Sequence, residues 1–270
     1  MSVITLLNQK GGVGKTSTCH HLAGTLAQLG RRVLLIDNDP QASLSQGIWG
    51  PDVARSLDPS ITLAAVYRGE DPFPEQVIRP VIPGVDLLPG SRAVNDWNLP
   101  RPFEQPYEAQ TCIRSFLGPI RDRYDLVLID CPPNLCLCSW AALVASDHLI
   151  VPLQAEDYGA QGIMDVQDSV GLVTSGPNLE LELLGYLITM FNPRKTVHRA
   201  YEANLRNLYG SQVFATMIPH VADYPEAIAF RKTVAQHKPR GAAAKAVRAL
   251  ADEIQARLRA GVGSAETEAA

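Results

Sequence analysis

The chain has 270 residues, 46% of them apolar and 19% charged, with a net charge of −4, the proportions of a globular protein with one large α/β domain or two small ones. No apolar run approaches the roughly 18 residues that a bilayer crossing needs, and five cysteines without framework spacing argue against a disulfide-stapled scaffold and for a reducing, cytoplasmic setting. The charge is uneven: residues 190–260 hold twelve Lys/Arg against five Asp/Glu, and the remainder twelve against twenty-three.

Residues 1–7 are apolar but have no basic n-region or cleavage site, so no signal peptide is expected. Residues 3–7 (VITLL) read as a buried strand running into a Gly/Lys loop, NQKGGVGKTS. Residues 16–29 then read as a helix closed by Gly30, and 32–36 (RVLLI) as a second strand ending at Asp37. Strand, loop, helix and strand form a βαβ unit with parallel strands. Further strands are expected at 126–129, 148–152 and 181–190, with helices at 137–145 and 159–173. This alternation predicts an α/β fold of three layers, a doubly wound and mostly parallel sheet covered on both faces. Residues 51–106 hold ten of the twenty prolines and are expected to be an insertion of short helices and long loops within one domain spanning 1–260. The tail 261–270 (GVGSAETEAA) is expected to be disordered.

The loop almost spells a phosphate-binding pattern, Gly, four residues, then Gly-Lys-Ser/Thr. Gly14-Lys15-Thr16 close it, but Gln9 stands where the opening glycine belongs and Lys10 follows. Backbone N–H groups from Gly11, Gly12, Val13 and Gly14 through Lys15 and Thr16 can form a nest at a helix N-terminus, where the helix dipole also favours phosphate. Lys15 can reach the β- and γ-phosphates, the Thr16 hydroxyl can ligate Mg²⁺, and Ser17 can support the α-phosphate. Lys10 beside Lys15 suffers like-charge repulsion unless something negative offsets it, and one source is a nucleotide held by a second subunit.

Lys-Gly-Gly-Val-Gly-Lys-Thr resembles the deviant Walker A motif of the ParA/MinD family of P-loop ATPases. Two further motifs follow in the family's order, DNDPQ at 37–41 and DLVLIDCPP at 125–133. The resemblance covers about residues 2–258, is weakest in the Pro-rich insertion, and through Gln9 is nearest to the ParA branch. It implies a P-loop NTPase fold, ATP and Mg²⁺ as cofactors, and an ATP-sandwich homodimer in which Lys10 reaches the partner's nucleotide. On the same analogy Asp39 positions the attacking water, Asp37 supports the Mg²⁺ shell, and Asp130, ending a strand in a Walker B pattern, holds Mg²⁺. Asn192 and Pro219 fall where the family contacts adenine, although His220 replaces the arginine usual in that stretch. Cys136 and Cys138 lie in an apolar run, LCLCSWAAL, that reads as helix entry and core rather than as cluster ligands.

A basic C-terminal third on an acidic protein points to an anionic partner, nucleic acid or membrane, or to a solvated helical face. Arg194, Lys195, Arg199, Arg231, Lys232, Lys238, Arg240, Lys245 and Arg248 supply the charge. In ParA-like ATPases this region binds DNA without sequence preference in the ATP state, so the resemblance implies non-specific DNA and nucleoid association, slow intrinsic hydrolysis, a ParB-like stimulating partner, and a chromosome, plasmid or protein assembly as cargo. Residues 242–258 form an amphipathic pattern, with Ala243, Val247, Leu250, Ile254 and Leu258 at helical spacing. Packing onto the sheet accounts for them, and an acidic end without bulky apolar residues does not suit a membrane anchor. The rivals are a MinD-like membrane-cycling regulator and a metal carrier that uses the loop as a switch.

Overall fold

The computed structural model describes residues 1–155 and 159–268, with side chains outside 156–162 and 261–270. In chain order the elements are β1 (Ser2–Leu6), α1 (Lys15–Gln28), β2 (Val33–Asp37), α2 (Ser43–Trp49), α3 (Pro51–Ser56), α4 (Leu63–Tyr67), α5 (Pro74–Val77), β3 (Arg79–Ile82) and β4 (Val85–Leu88). There follow α6 (Tyr107–Leu117), β5 (Leu126–Asp130), α7 (Leu137–Ala145), β6 (His148–Gln154), α8 (Gly159–Thr174), β7 (Glu182–Thr189), α9 (Thr196–Tyr209), α10 (Asp223–Ala229), α11 (Val234–His237) and α12 (Ala242–Glu268).

The strands form one sheet in the order β3-β4-β2-β5-β1-β6-β7. Only the β3–β4 pairing is antiparallel. The central strands are apolar on both faces, as a sheet covered on both sides requires. Val3 of β1, Leu34 and Ile36 of β2, and Val127 and Ile129 of β5 enter one core with α4, α6 and α7. Their neighbours Ile4, Leu6, Val33, Leu35, Leu126 and Leu128 enter a second core with α1, α10 and α12. The three-layer, doubly wound expectation is met.

One expectation is corrected. The Pro-rich stretch is not only short helices and loops, because it contributes the sheet edge: β4 runs parallel to β2, and β3 folds back on β4. Four residues between Gly84, at φ +82°, and Pro89 are too short to show a period. The last helix is assigned from Ala242 through Glu268, and residues 269–270 lie outside the described residues. Among the described residues no helix is long and apolar enough to cross a membrane.

Candidate functional site

The first strand pairs with β5 on one side and β6 on the other, and the chain leaves β1 toward β2 but leaves β5 toward β6. This reversal makes the end of β1 the switch point, where open α/β sheets bind ligands. The Gly/Lys loop lies there. Buried Asn8 pins its start: Nδ2 donates to the Pro152 carbonyl at 2.7 Å, and Oδ1 accepts from the Lys10 N–H at 2.8 Å. The Thr189 hydroxyl, ending β7, donates to the Val13 carbonyl at 2.8 Å. Gly12 and Gly14 take φ of +76° and +86°, where a Cβ is costly. At Gly11 and Gly12 a Cβ would meet nothing within 4 Å, so this rim is open. Gly14 caps α1 without a side-chain bond, leaving the first N–H groups of α1 unbonded within the helix. Loop and helix end together form an anion cradle.

Lys15 is folded over this loop, 7% exposed. Its Nζ donates to the Asn8 carbonyl at 2.9 Å and the Lys10 carbonyl at 3.1 Å. Burial lowers its pKa, while Asp130, Cys131 and Asp39 pull the other way. Lys10 is half-buried at the mouth of the loop. Asp37 and Asp130 end neighbouring strands and are paired in register. Both are fully buried. Neither Asp130 carboxylate oxygen has a hydrogen-bond partner of good geometry. Burial, and then Asp37, drives its pKa well up, whereas the nearby Thr16 hydroxyl favours the charged form. Asp37 Oδ2 accepts from the Ser45 N–H at 2.7 Å and the Ser45 hydroxyl at 2.6 Å. Its Oδ1 has no partner, and burial raises its pKa to about 7. Two buried carboxylates with unpartnered oxygens, both of Asp130 and one of Asp37, beside a threonine hydroxyl are the donor set of a hard divalent cation. Mg²⁺ fits, because it takes few carboxylates and keeps several waters. Asp39 is half-buried, and its Oδ1 accepts from the Gln41 N–H at 2.8 Å.

A cavity of about 490 Å³ opens beside the loop, lined among others by Gly14, Ser17, Met190, Pro219 and His220. Its size suits a small organic ligand. Bridges from Tyr186 to Val213 and from Phe191 to Pro219 lay the 213–219 segment along the end of β7. Pro219 therefore reaches the cavity. Asn192 does not line it: its Oδ1 accepts from the Arg194 N–H at 3.0 Å, and its own N–H donates to His198 Nδ1 at 3.1 Å.

The nine basic residues are all exposed but are not equivalent. Lys238 Nζ pairs with Asp223 at 2.8 Å and Glu226 at 2.7 Å. The Arg231 guanidinium donates to the Gln46 carbonyl at 3.1 Å, bracing α2, and that of Arg199 to the Pro193 carbonyl at 2.6 Å. Arg248 faces Asp252 at 3.7 Å. Among the described residues Arg194, Lys195, Lys232, Arg240 and Lys245 form no ion pair. The apolar stripe of α12 is occupied: Ala243, Val247, Leu250 and Ile254 are buried in the second core, and Leu258 packs partly on it. Cys131 and Cys138 are buried and Cys136 half-buried, and among the described residues no three His, Cys, Asp or Glu converge as a metal site. Sequence reading missed Asn8, Asn38, Ser45 and Thr189, polar side chains buried around the loop. Of these only Asn38 carried a signal, as an amide between two aspartates at a strand end.

Residues 1–183 match the AAA_31 family, described as an AAA domain. The chain is 40% identical to the chromosome-partitioning ATPase Soj of Thermus thermophilus over 95% of this chain and 96% of that one. It is 33% identical to the chromosome partitioning protein ParA of Caulobacter vibrioides, over 96% of each. Among solved structures it resembles cobyrinic acid a,c-diamide synthase from Mycobacterium smegmatis with bound ATP analog and magnesium, at TM-score 0.82 and 27% identity, covering 97% of this chain and 96% of that one. It also resembles in fold a Cyanothece McdA variant in complex with ATP, at TM-score 0.81 and 18% identity over 96% of each chain.

Proposed function

This chain belongs to the ParA/Soj family of partitioning ATPases, and we propose that it is a spatial regulator in which ATP closes a homodimer, the dimer binds DNA without sequence preference, and hydrolysis releases it. The observation that carries this reading is the gathering of Lys15 and Thr16, at the start of the helix that follows β1, with Asp37 and Asp130, at the ends of the adjacent strands β2 and β5. ATP and Mg²⁺ are its cofactors, as the orphaned Asp130 oxygens and the open glycine rim suit. The structural relative carrying an ATP analog and magnesium supports the same assignment.

The N–H groups of residues 11–16 and the Lys15 ammonium hold the phosphates, with Ser17 on the α-phosphate. Thr16 and Asp130 hold Mg²⁺, which neutralises phosphate charge when bound, and Asp37 supports the metal's water shell. Asp39 orients the attacking water. Lys10 crosses to the partner's nucleotide, so that ATP joins the two subunits. Pro219 walls the adenine end of the cavity. Catalysis of this kind is positioning and charge stabilisation, so turnover is slow until a ParB-like partner accelerates it. Arg194, Lys195, Lys232, Arg240 and Lys245 are the better DNA candidates, because they form no ion pair within the described residues. The burial of the α12 stripe weighs against a membrane-cycling regulator. The greater identity to partitioning proteins, 33–40% against 27%, favours partitioning over amide synthesis.

Sedimentation velocity of wild type and Lys10→Ala with Mg·ATP tests the dimer. Wild type is expected to dimerise with ATP, and Lys10→Ala to bind ATP with similar affinity while remaining monomeric. A monomeric wild type saturated with ATP, or a dimeric Lys10→Ala, contradicts the proposed role.

A further inference from the structure

Between Asp37 and Asp39 lies Asn38, fully buried. A buried primary amide must find partners for both its ends, and Asn38 finds them on three other segments. Its Nδ2 donates to the Cys138 carbonyl, in the first turn of α7, at 2.7 Å, and faces Cys131 Sγ at 3.9 Å. Its Oδ1 accepts from the Tyr67 hydroxyl, at the end of α4, at 2.8 Å. Its own N–H donates to the Asp130 carbonyl at 2.9 Å. The amide's orientation follows from chemistry: a backbone carbonyl can only accept, so Nδ2 faces Cys138, and Tyr67 must then donate to Oδ1.

We infer that Asn38, its amide set by Tyr67, is a positioning residue that locks the strand end carrying Asp37 and Asp39 to the segment carrying Asp130. The inference rests on the ATPase reading above. The lock is rigid in kind. The Tyr67 ring is buried and lies stacked 6.4 Å from Trp97, so its hydroxyl has a fixed place. Cys138 belongs to a helix whose residues 137–144 are all buried. The amide thus joins β2, β5, α4 and α7 at one point, immediately before the residue whose carboxylate is assigned to the attacking water. A shift there of about an ångström is enough to cost roughly 100-fold in rate.

The test compares wild type, Asn38→Leu, Tyr67→Phe and the double variant for steady-state ATP hydrolysis, with rates normalised to sites that bind nucleotide. Asn38→Leu keeps the branched shape and the number of side-chain heavy atoms, is somewhat bulkier, and removes both amide bonds. It is expected to lower kcat at least about 10-fold while KM for ATP changes less than about 3-fold, because the phosphate loop is untouched. Tyr67→Phe removes one hydroxyl, keeps the packing, and is expected to lower kcat about 3-fold in a stably folded protein. The double variant is expected to fall no further than Asn38→Leu, the sign of one coupled unit. Unchanged kcat per binding-competent site in Tyr67→Phe overturns the lock, as does strict additivity in the double variant. If Asn38→Leu does not fold, Tyr67→Phe alone decides. A wild type that binds ATP but never hydrolyses it removes the ATPase reading and this inference together, an outcome distinct from a variant that matches an active wild type.

Discussion

At the residue scale the site is a balance of buried charges. Lys15 is the basic group at its centre, and Asp37, Asp39 and Asp130 are the acidic groups around it, with Lys10 at the edge. Lys15→Ala is expected to weaken ATP binding by more than about 100-fold, because it removes charge-assisted bonds to phosphate; calorimetry showing unchanged affinity removes the loop assignment. Asp37 makes the nucleotide-free protein pH-dependent. Its folded pKa of about 7 lies above the ordinary 3.8, so the native state binds more protons than the unfolded state in between, and stability falls as pH rises through 7, by at most about 4 kcal/mol. Asp130 acts in the same direction. Buried His21, its pKa lowered to about 3 by burial, acts oppositely, because it stabilises above 6.5 and costs stability as pH falls below that. The two slopes oppose each other between pH 4 and 6.5. Chemical denaturation of the nucleotide-free protein is therefore expected to show a clear loss of stability from pH 6 to 8, and Asp37→Asn is expected to flatten it. A stability that rises over that window contradicts the account.

Lys15 and Thr16 were legible because a phosphate loop demands those types at that spacing, and Asp130 because it ends an apolar strand, whereas Lys10, Asp37 and Asp39 were marked by the family resemblance. Lys10, Lys15, Thr16, Asp37, Asp39 and Asp130 all stand on the loop or at the ends of β2 and β5 that flank it. The polar side chains that hold them were not legible. Asn8, Ser45 and Thr189 bond to carbonyls and carboxylates of distant segments, and nothing local marks which serine or threonine will be buried.

At the scale of elements, the long apolar strands and α1 were readable because each buries residues on both faces or carries a strong terminal signal. β3 and β4 were not, since four-residue strands between proline and glycine owe their existence to the strand they join. One close contact ties the loop helix to the C-terminal region. A Cβ at Gly24 of α1 would stand 2.4 Å from Thr233 Cγ2, just before α11. Gly24→Ala is expected to cost about 1–3 kcal/mol through overpacking, seen as a Tm several degrees lower, and Thr233→Ala is expected to recover part of it. A Gly24→Ala protein that melts with wild type contradicts this packing. The buried pair His20 and His21 belongs to the same seam: His20 Nε2 meets the Lys232 carbonyl at 3.1 Å, and His21 Nδ1 accepts from the Val234 N–H at 3.2 Å. The helix that begins at the phosphate loop therefore carries one edge of the basic region directly.

At the scale of the molecule, the charge asymmetry read from the sequence becomes selective once ion pairs are taken into account. Lys238 is held by two carboxylates and Arg231 by backbone carbonyls, while five of the nine basic residues form no such pair among the described residues. Lys195→Ala and Arg240→Ala are each expected to lower the salt dependence of DNA binding by about one counterion, and Lys238→Ala to leave it nearly unchanged; fluorescence anisotropy across salt concentrations reads both. Equal effects of all three would return Lys238 to the DNA face.

The central claim, nucleotide-gated binding to DNA, is tested most directly by the affinity of the wild-type protein for a duplex of arbitrary sequence with Mg·ATP, with Mg·ADP and with neither, across a salt series. The account predicts binding with Mg·ATP alone, falling with salt at a log–log slope of about −4 or steeper. Binding that ignores the nucleotide, or no binding at a salt concentration as low as about 50 mM, would contradict it.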